Sequence, residues 1–228
     1  MSRINICAAM STQARASLQP TPVVYVLTDD DSVRDCLDGY ADRADWQAQA
    51  FADARTFLSQ SQMPGPACLV LDLDLPDVDG LDVEALMRDR RDLPVIFIAS
   101  CPSVRTTVRA MKAGAVEFLA KPCDPNLLLD AMRQGMHQSR EVLAQEAQMR
   151  VLHERFSLLT SREREVMQLV VAGKLNKQVA GELGISVITV QVHRGQAMRK
   201  MRATSFANLV NMGAALREGA TQVVIVSQ

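Results

Sequence analysis

A chain of 228 residues with 48% hydrophobic residues can form one large domain or two small ones. Its formal net charge is −1, but residues 21–126 carry 18 acidic and 10 basic side chains, whereas residues 157–217 carry 3 acidic and 9 basic ones. These net charges of −8 and +6 predict two parts with separate tasks, of which the basic part binds nucleic acid.

The cysteines and the hydropathy pattern exclude other classes of protein. Five widely spaced cysteines without a C-x-x-C pair argue against a disulfide framework or a zinc site, and are typical of a reducing cytosol. No apolar run is as long as a membrane span, and residues 1–20 lack the apolar core of a signal peptide. We therefore expect a cytoplasmic protein that does not associate with a membrane.

We predict a disordered tail at residues 1–20. Alternating strands and helices are predicted from Val23 onward. Apolar runs predict strands at 23–27, 46–51, 68–71, 95–98 and 117–119, and helices near 32–41, 53–61, 80–90, 103–113 and from 125 onward. This alternation predicts an α/β doubly wound, five-stranded parallel sheet. Its ligand site is expected at the carboxyl edge of the strands, where the strand order reverses.

The helix that starts near 125 has no proline before Phe156. Val142, Met149 and Phe156 lie seven residues apart, with Leu152 and Leu159 at intermediate positions, which gives a weak heptad seam. A solvated linker helix and a dimerising helix both remain consistent with this pattern.

Charged side chains follow three of the predicted strands. Asp29 follows the first strand, Asp72 the third and Lys121 the fifth. Because the carboxyl ends of parallel strands meet at one edge, two acids and a lysine there predict a site for a divalent metal and a phosphoryl group. A solvated acidic loop is the simpler interpretation of Asp72 and Asp74, but it does not explain Lys121.

Beyond Phe156 the sequence predicts an all-α module of four short helices. Thr160 and Glu163 form a capping box, and Asn176, Ser186 and Thr204 are the predicted N-caps of the next three helices. Gly184 ends the second helix and lies in a three-to-four-residue turn, which is helix-turn-helix spacing.

The third of these helices has two distinct faces. Val190, Ala197 and Met201, with the stem of Arg194, recur at the spacing of a buried face, so the opposite face is available to a DNA major groove. An amphipathic helix with a solvated charged face is the alternative, but the turn length and the local charge of +6 favour DNA. The predicted DNA contacts, including the phosphate ligands Lys177 and Lys200, are Asn176, Lys177, Ser186, Thr189, Gln191, Val192, His193, Arg194, Gly195, Arg199 and Lys200.

Two independent sets of motifs resemble one family. The order and spacing of Asp29, Asp72 and Lys121–Pro122 resemble the receiver domain of bacterial response regulators. Residues 159–166, 176–180, 189–194 and 198–201 resemble the LuxR-type DNA-binding domain. Residues 22–217 as a whole resemble a NarL/FixJ-family response regulator, which implies DNA, a sensor histidine kinase and a second copy of the chain as partners.

The resemblance also implies the roles of the site residues. Asp72 is the phosphoacceptor, Phe118 lies at the aromatic switch position, and Lys121 and a Ser/Thr contact the phosphoryl group. That Ser/Thr position is Ala99, so Ser100 one step beyond is expected to contact the phosphoryl group in its place after a local backbone shift, and Thr28 stands where the first of two adjacent acids is expected. The implied Mg²⁺ site consists of Asp29, Asp72, Thr28 and the carbonyl of Asp74. Because Thr28 and Ala99 depart from the family pattern, we expect weak phosphorylation and weak switching.

The domains follow as a tail at 1–20, a receiver at 21–138, a helical linker at 139–156, the DNA-binding domain at 157–217 and a C-terminal tail at 218–228. We expect no enzyme activity. A phosphorylation-independent regulator with a docking or dimerising receiver is the main alternative. Cys101 and Cys123 near the sheet edge suggest a redox-sensing variant of it. The Asp72-Leu73-Asp74 segment also resembles haloacid-dehalogenase-type phosphatases, although the basic helical module does not.

Overall fold

The structure is a computed structural model that describes residues 21–31, 33–34, 46–59, 65–76, 78 and 83–226. It divides into two compact units, one ending at Leu143 and the other starting at Ala144. The predicted tail at 1–20 lies outside the described residues. So does most of the helix predicted at 32–41.

The first unit is built on one parallel sheet with the strand order β2-β1-β3-β4-β5. Its strands and helices are β1 (Val23–Leu27), β2 (Gln47–Phe51), α1 (Ala54–Ser59), β3 (Ala67–Asp72), α2 (Val83–Asp89), β4 (Val95–Ala99), α3 (Val104–Ala113), β5 (Glu117–Ala120) and α4 (Pro125–Ser157). The chain passes from β1 to β2 on one side and then to β3 on the other. The order therefore reverses between β1 and β3, which is where such sheets bind ligands.

The sheet separates two hydrophobic cores. Successive side chains of a strand point to opposite faces, so the odd-numbered residues of β1, β3 and β4 form one core and the even-numbered residues form the other. All six residues of β3 are buried, as expected for a central parallel strand covered on both faces. The five predicted strands are confirmed to within one or two residues, and the doubly wound fold is confirmed.

Cys68 is the second residue of β3 and lies on the even-numbered face of the sheet, where it meets α4. A Cβ added at Gly135 of α4 would lie 3.1 Å from the Cβ of Cys68, so this glycine allows the helix to approach the sheet closely. The Cys68 side chain is fully buried. Burial raises the pKa of its thiol to about 12, because a thiolate would lose its hydration there.

The second unit is all-helical. It contains the last turns of α4 together with α5 (Ser161–Val171), α6 (Asn176–Leu183), α7 (Val187–Met201) and α8 (Phe206–Val226). The capping box at Thr160 and Glu163 is present, and Ser186 caps α7 by accepting a hydrogen bond from the Thr189 amide. Gly184 adopts φ 66° after α6, the left-handed conformation that glycine allows at a helix end.

Two predicted caps are wrong by one residue. The N-cap of α6 is Leu175 rather than Asn176, because the Gln178 side chain turns back and accepts a hydrogen bond from the Leu175 amide at 2.8 Å. Thr204 does not cap α8, since Ser205 Oγ accepts the hydrogen bond from the Asn208 amide at 3.1 Å. The helix α8 continues to Val226, so residues 218–226 of the predicted C-terminal tail are helical.

Part of the predicted heptad seam belongs to the hydrophobic core of the second unit. Leu152 and Phe156 pack against the hydrophobic core of the second unit, and Leu159 is buried in it. These three side chains therefore contribute to the core of their own unit, and the choice between a solvated linker helix and a dimerising helix stays a prediction. Within the described part of the chain, no helix combines the length and the apolar character that a bilayer crossing requires.

Candidate functional site

The polar site of the first unit lies where β1, β3 and β5 end. Leu27 pairs with Leu71 in the sheet register, so Thr28 and Asp72 are the next residues in line on neighbouring strands. Ala99 pairs with Ala120, which brings Lys121 to the same edge. The parallel register therefore assembles a site from residues that are far apart in the sequence.

Asp72 is the centre of this site and is fully buried. Its Oδ2 accepts a hydrogen bond from Lys121 Nζ at 2.5 Å and from Thr28 Oγ1 at 2.6 Å. Its Oδ1 accepts a hydrogen bond from the Asp74 amide at 3.0 Å. A buried carboxyl group requires such donors in place of water, and here the donors are a lysine, a hydroxyl group and a backbone amide.

Lys121 joins several acids. Its Nζ lies 3.2 Å from Asp74 Oδ2 and 3.8 Å from Asp30 Oδ2, in addition to Asp72. Burial lowers the pKa of Lys121, but the hydrogen bonds to Asp72 and Asp74 outweigh burial and raise it above the usual value. The lysine therefore remains positively charged and can neutralise a phosphoryl group.

The side chain of Asp74 makes a contact that was not predicted from the sequence. Its Oδ2 accepts hydrogen bonds from Ser100 Oγ at 2.7 Å and from the Ser100 amide at 2.8 Å. The Ser100 hydroxyl, followed by burial, the Ser100 amide and Lys121, sets the pKa of Asp74, and the net effect lowers that pKa. We call this pair of hydrogen bonds the Asp74–Ser100 clasp. It directs the hydroxyl of Ser100 toward Asp74 in this structure.

The two predicted switch positions lie on the same side of the sheet. Ala99 is buried at the end of β4, where its carbonyl accepts a hydrogen bond from the Lys121 amide at 2.9 Å. Phe118 is half-buried and stacks on Phe97, with ring centroids 6.0 Å apart. Cys101 is exposed and Cys123 is half-buried.

The donor set at this edge suits Mg²⁺, which prefers hard oxygen ligands and keeps several water molecules. Asp29 is exposed at the end of β1, and Asp72 Oδ1 accepts only one of the hydrogen bonds described above. In the described ranges, no three His, Cys, Asp or Glu side chains come together as a metal site. An ion here would therefore depend on two carboxylates, a backbone carbonyl and water. The sequence did not indicate that Asp30, rather than Asp29, would approach Lys121.

The predicted DNA-binding face is on α7 in the second unit. Val190, Ala197 and Met201 are fully buried, whereas Gln191, Val192, Gly195 and Arg199 are exposed on the opposite face. A Cβ added at Gly195 would meet no atom within 4 Å. This exposed face therefore has room for a large partner. Among the other predicted contacts, Lys177 and Ser186 are exposed, and Asn176, Thr189 and His193 are half-buried.

Two basic side chains among the predicted contacts, Lys200 and Arg194, have partners on other helices. Lys200 Nζ lies 2.7 Å from Glu163 Oε2, so its ammonium group pairs with the capping-box acid. The guanidinium of Arg194 lies 4.3 Å from the ring centroid of Phe206 and donates a hydrogen bond to Asn176 Oδ1 at 3.4 Å. Arg194 thereby connects α6, α7 and the start of α8. The sequence pattern did not reveal these partners because each is on another helix.

Comparison with known proteins gives a consistent result for both units. Residues 24–133 match the response regulator receiver domain family, and residues 157–213 match the luxR family of bacterial regulatory proteins. Nodulation protein W of Bradyrhizobium diazoefficiens is 44% identical over 198 residues, which cover 85% of this chain and 86% of that protein. The transcriptional regulatory protein FixJ of the same organism is 34% identical over 199 residues, which cover 86% and 95%.

A solved structure agrees with these relatives. The response regulator StyR has a TM-score of 0.72 and 40% sequence identity, covering 85% of this chain and 98% of that one. A receiver fold followed by a helix-turn-helix unit defines a DNA-binding regulator of the two-component class. The chain belongs to the NarL/FixJ-type response regulators, which confirms the family predicted from its motifs. The matched families are regulatory ones rather than haloacid-dehalogenase phosphatases.

Proposed function

We propose that a sensor histidine kinase supplies a phosphoryl group to Asp72 and that the output is transcription control through α7 in a DNA major groove. The carrying observation is the contact between Lys121 Nζ and Asp72 Oδ2, 2.5 Å apart at the end of a buried strand. A carboxylate oxygen attacks phosphorus, a P–O bond to Asp72 forms, and the bond to the donor's leaving group breaks. Lys121 offsets the charge that this reaction brings into the site.

Mg²⁺ is part of this proposal, with Asp29, Asp72 and the carbonyl of Asp74 as ligands. When bound, the ion supplies positive charge to the phosphoryl oxygens. Thr28 lies where the family has an acid, and it donates its hydrogen bond to Asp72 Oδ2 at 2.6 Å. The site therefore has one negative charge fewer to attract the ion, which supports the expectation of weak phosphorylation.

A second candidate is a regulator that works without phosphorylation, with the receiver as a docking or dimerising module. The specific observation is that both oxygens of Asp72 already accept hydrogen bonds. The methyl group of Ala99 cannot bond a phosphoryl group, and the Asp74–Ser100 clasp holds the hydroxyl of the next residue in the chain. An Asp72 carboxylate with these partners is stable without a ligand.

Intact-mass measurements of the full chain with Mg²⁺ and a small phosphodonor distinguish the two candidates. We expect one labile phosphoryl group on the native chain, none on Asp72→Asn, and an unchanged yield on Asp130→Asn, whose carboxylate is exposed on α4. A native chain that takes no label at any donor concentration would favour the second candidate. Undiminished labelling of Asp72→Asn would show that Asp72 is not the acceptor.

A homodimer through the first unit is the oligomeric state that we propose. The structure describes all ten residues of α3, and none of them is buried. Val104, Val108 and Met111 recur at i, i+4 and i+7 with 82%, 45% and 42% of their surface exposed. This spacing puts them on one side of the helix, and an exposed aliphatic stripe of this kind is typical of a surface that another copy covers.

Sedimentation of the full chain tests the dimer. We expect Val108→Asp to weaken self-association, because it places a charge in the aliphatic stripe. The matched control is Leu58→Asp on α1, where an equally exposed leucine (53%) lies outside the stripe. Equal self-association of the two variants would exclude α3 from the interface.

DNA titrations of the full chain test the proposed contacts. Lys177→Ala should weaken binding to all sequences and reduce the salt slope by about one unit, as the loss of a phosphate contact does.

Gln191→Ala should cost about 1–3 kcal/mol on a selected site and little on random DNA, because glutamine bonds adenine in a bidentate manner. Gly195→Glu should abolish binding, since the new side chain would enter the open space of the exposed face. Full affinity of Gly195→Glu would place the groove elsewhere.

A further inference from the structure

Branched aliphatic side chains lie on the exposed face of α7. Ile188 and Val192 have 74% and 54% of their surface exposed, one turn apart. Val190 between them is fully buried and fixes the rotation of the helix against the core. The exposure of Ile188 and Val192 is therefore set by the fold of the unit and not by an arbitrary helix orientation.

We propose that Ile188 and Val192 read the C5-methyl groups of two thymines in the DNA site. The proposal rests on the proposed function, because it requires α7 to lie in the major groove. Of the four bases, only thymine presents a methyl group there. An aliphatic side chain on the groove face therefore distinguishes thymine from every base whose edge is wholly polar.

The spacing of the two side chains fits this role. Residues four apart on a helix are separated by a rise of about 6 Å, and successive base pairs of one strand are about 3.4 Å apart. Ile188 and Val192 can therefore contact methyl groups about two base-pair steps apart. Both side chains are β-branched and have one strongly preferred χ1 rotamer in a helix, so their methyl groups are held in defined positions.

The surroundings favour DNA over a protein as the occupant of this surface. Gln191 and Arg199 are exposed on the same face of α7, and Lys177 is exposed on α6. The sequence segment 157–217 carries a net charge of +6. A basic, amide-bearing border around two aliphatic side chains complements phosphates, adenine edges and thymine methyl groups.

The test uses duplexes that the full chain selects from a random-sequence pool, with single thymines then replaced by deoxyuridine. Deoxyuridine lacks only the methyl group, so the polar contacts and the phosphates stay the same. We expect two positions at which replacement weakens binding about fourfold, the loss typical of one buried methyl group. Ile188→Asn should remove the effect at one position, and Val192→Asn at the other, because asparagine has no methyl group to pack on that of thymine.

Leu58→Asn is the matched control, because it changes an exposed aliphatic side chain of α1 in the first unit, outside the stripe on α3. It should preserve both deoxyuridine effects. The proposal is overturned if no thymine is sensitive to replacement, or if both variants of α7 keep the full sensitivity. Salt-dependent DNA binding that persists in that case would preserve the proposed function. A full chain with no affinity for DNA would overturn both proposals.

Discussion

Thr28 and Ala99 are the two residues at which we propose that this receiver departs from the pattern of its family. Thr28 exchanges a negative charge for a hydroxyl group that donates directly to Asp72 Oδ2. Ala99 has a methyl group at the position where the resemblance to the family implies a hydroxyl, and Ser100 one residue later is held by Asp74. We expect Thr28 to affect how well the site takes up Mg²⁺ and a phosphoryl group. We expect Ala99 to affect how strongly the protein responds once the phosphoryl group is bound, so the two effects can be tested separately.

Thr28→Asp should increase the affinity of the full chain for Mg²⁺ and its yield of phosphorylation. The added carboxylate supplies a hard oxygen ligand and a negative charge next to Asp72. Thr28→Val is the control, because it removes the hydrogen bond to Asp72 without adding charge. Calorimetric Mg²⁺ titration measures the effect. The explanation would be wrong if Thr28→Val raised the affinity as much as Thr28→Asp.

Ser100→Ala should make the stability of the first unit less dependent on pH. The Ser100 hydroxyl is the leading cause of the lowered pKa of Asp74. A carboxyl group with a lowered pKa in the folded state adds stability above its unfolded pKa of about 3.9, and this stability is lost as the pH falls through the folded value.

The native chain and Ser100→Ala should therefore differ in stability at neutral pH and converge below about pH 4. Urea unfolding followed by fluorescence of Trp46, the single tryptophan and a buried residue of the first unit, measures the difference. A gap of constant size at every pH would mean that the clasp does not act through the Asp74 charge.

The strands and helices show which kinds of information the sequence contains. Apolar runs such as 68–71 predicted the strands closely, because burial on both faces leaves a continuous local signal. The position of Asp72 beside Lys121 followed from the rule that parallel strands end at one edge. The Asp74–Ser100 clasp and the Lys200–Glu163 pair were not predicted, since each joins side chains on separate elements with no local pattern.

Lys200→Met should lower the stability of the second unit by about 1–3 kcal/mol, the cost of leaving a buried polar group without its partner. Burial raises the pKa of Glu163, but the hydrogen bonds from Lys200 and the Thr160 amide outweigh it and lower the pKa overall. The loss should therefore be present at neutral pH and decrease as acid protonates Glu163.

Circular dichroism during urea unfolding measures this loss. The transition reported by Trp46 should not move, because that residue belongs to the first unit. Adding Glu163→Gln should recover part of the loss, since no unpaired charge remains. Lys177→Met, on an exposed side chain, should leave stability unchanged. Equal stability of Lys200→Met and the native chain would mean that the pair with Glu163 does not stabilise the unit, and the predicted phosphate contact would be the remaining role of Lys200.

For the whole chain, the question is how strongly the first unit influences DNA binding by the second. A charge-assisted hydrogen bond contributes about 1.5–3 kcal/mol, and a typical coupling between two sites is about 1–3 kcal/mol. The free energy of the hydrogen bond that a hydroxyl at position 99 would make is thus comparable to an entire coupling energy. A phosphoryl group on Asp72 would then change the affinity for DNA only slightly.

Ala99→Thr should increase the effect of a phosphodonor on both self-association and DNA affinity. The new hydroxyl can bond a phosphoryl oxygen, and Ala99→Val is the control because valine has the same shape without the hydroxyl. Sedimentation and DNA titration, each with and without phosphodonor, compare the three proteins. A response of the native chain that equals or exceeds that of Ala99→Thr would contradict this account.

The rate at which the buried thiol of Cys68 is alkylated should report how often the receiver opens. Only a thiolate reacts with alkylating reagents, and burial raises the pKa of this thiol to about 12, so labelling in the native state must wait for the sheet to open. Cys101, which is exposed, should be alkylated immediately. A ligand that binds the folded receiver shifts its opening equilibrium, so beryllofluoride on Asp72 should slow the alkylation of Cys68 and leave that of Cys101 unchanged. Peptide mass mapping of the two cysteines would thus report occupancy of the acidic site without an assay of DNA binding.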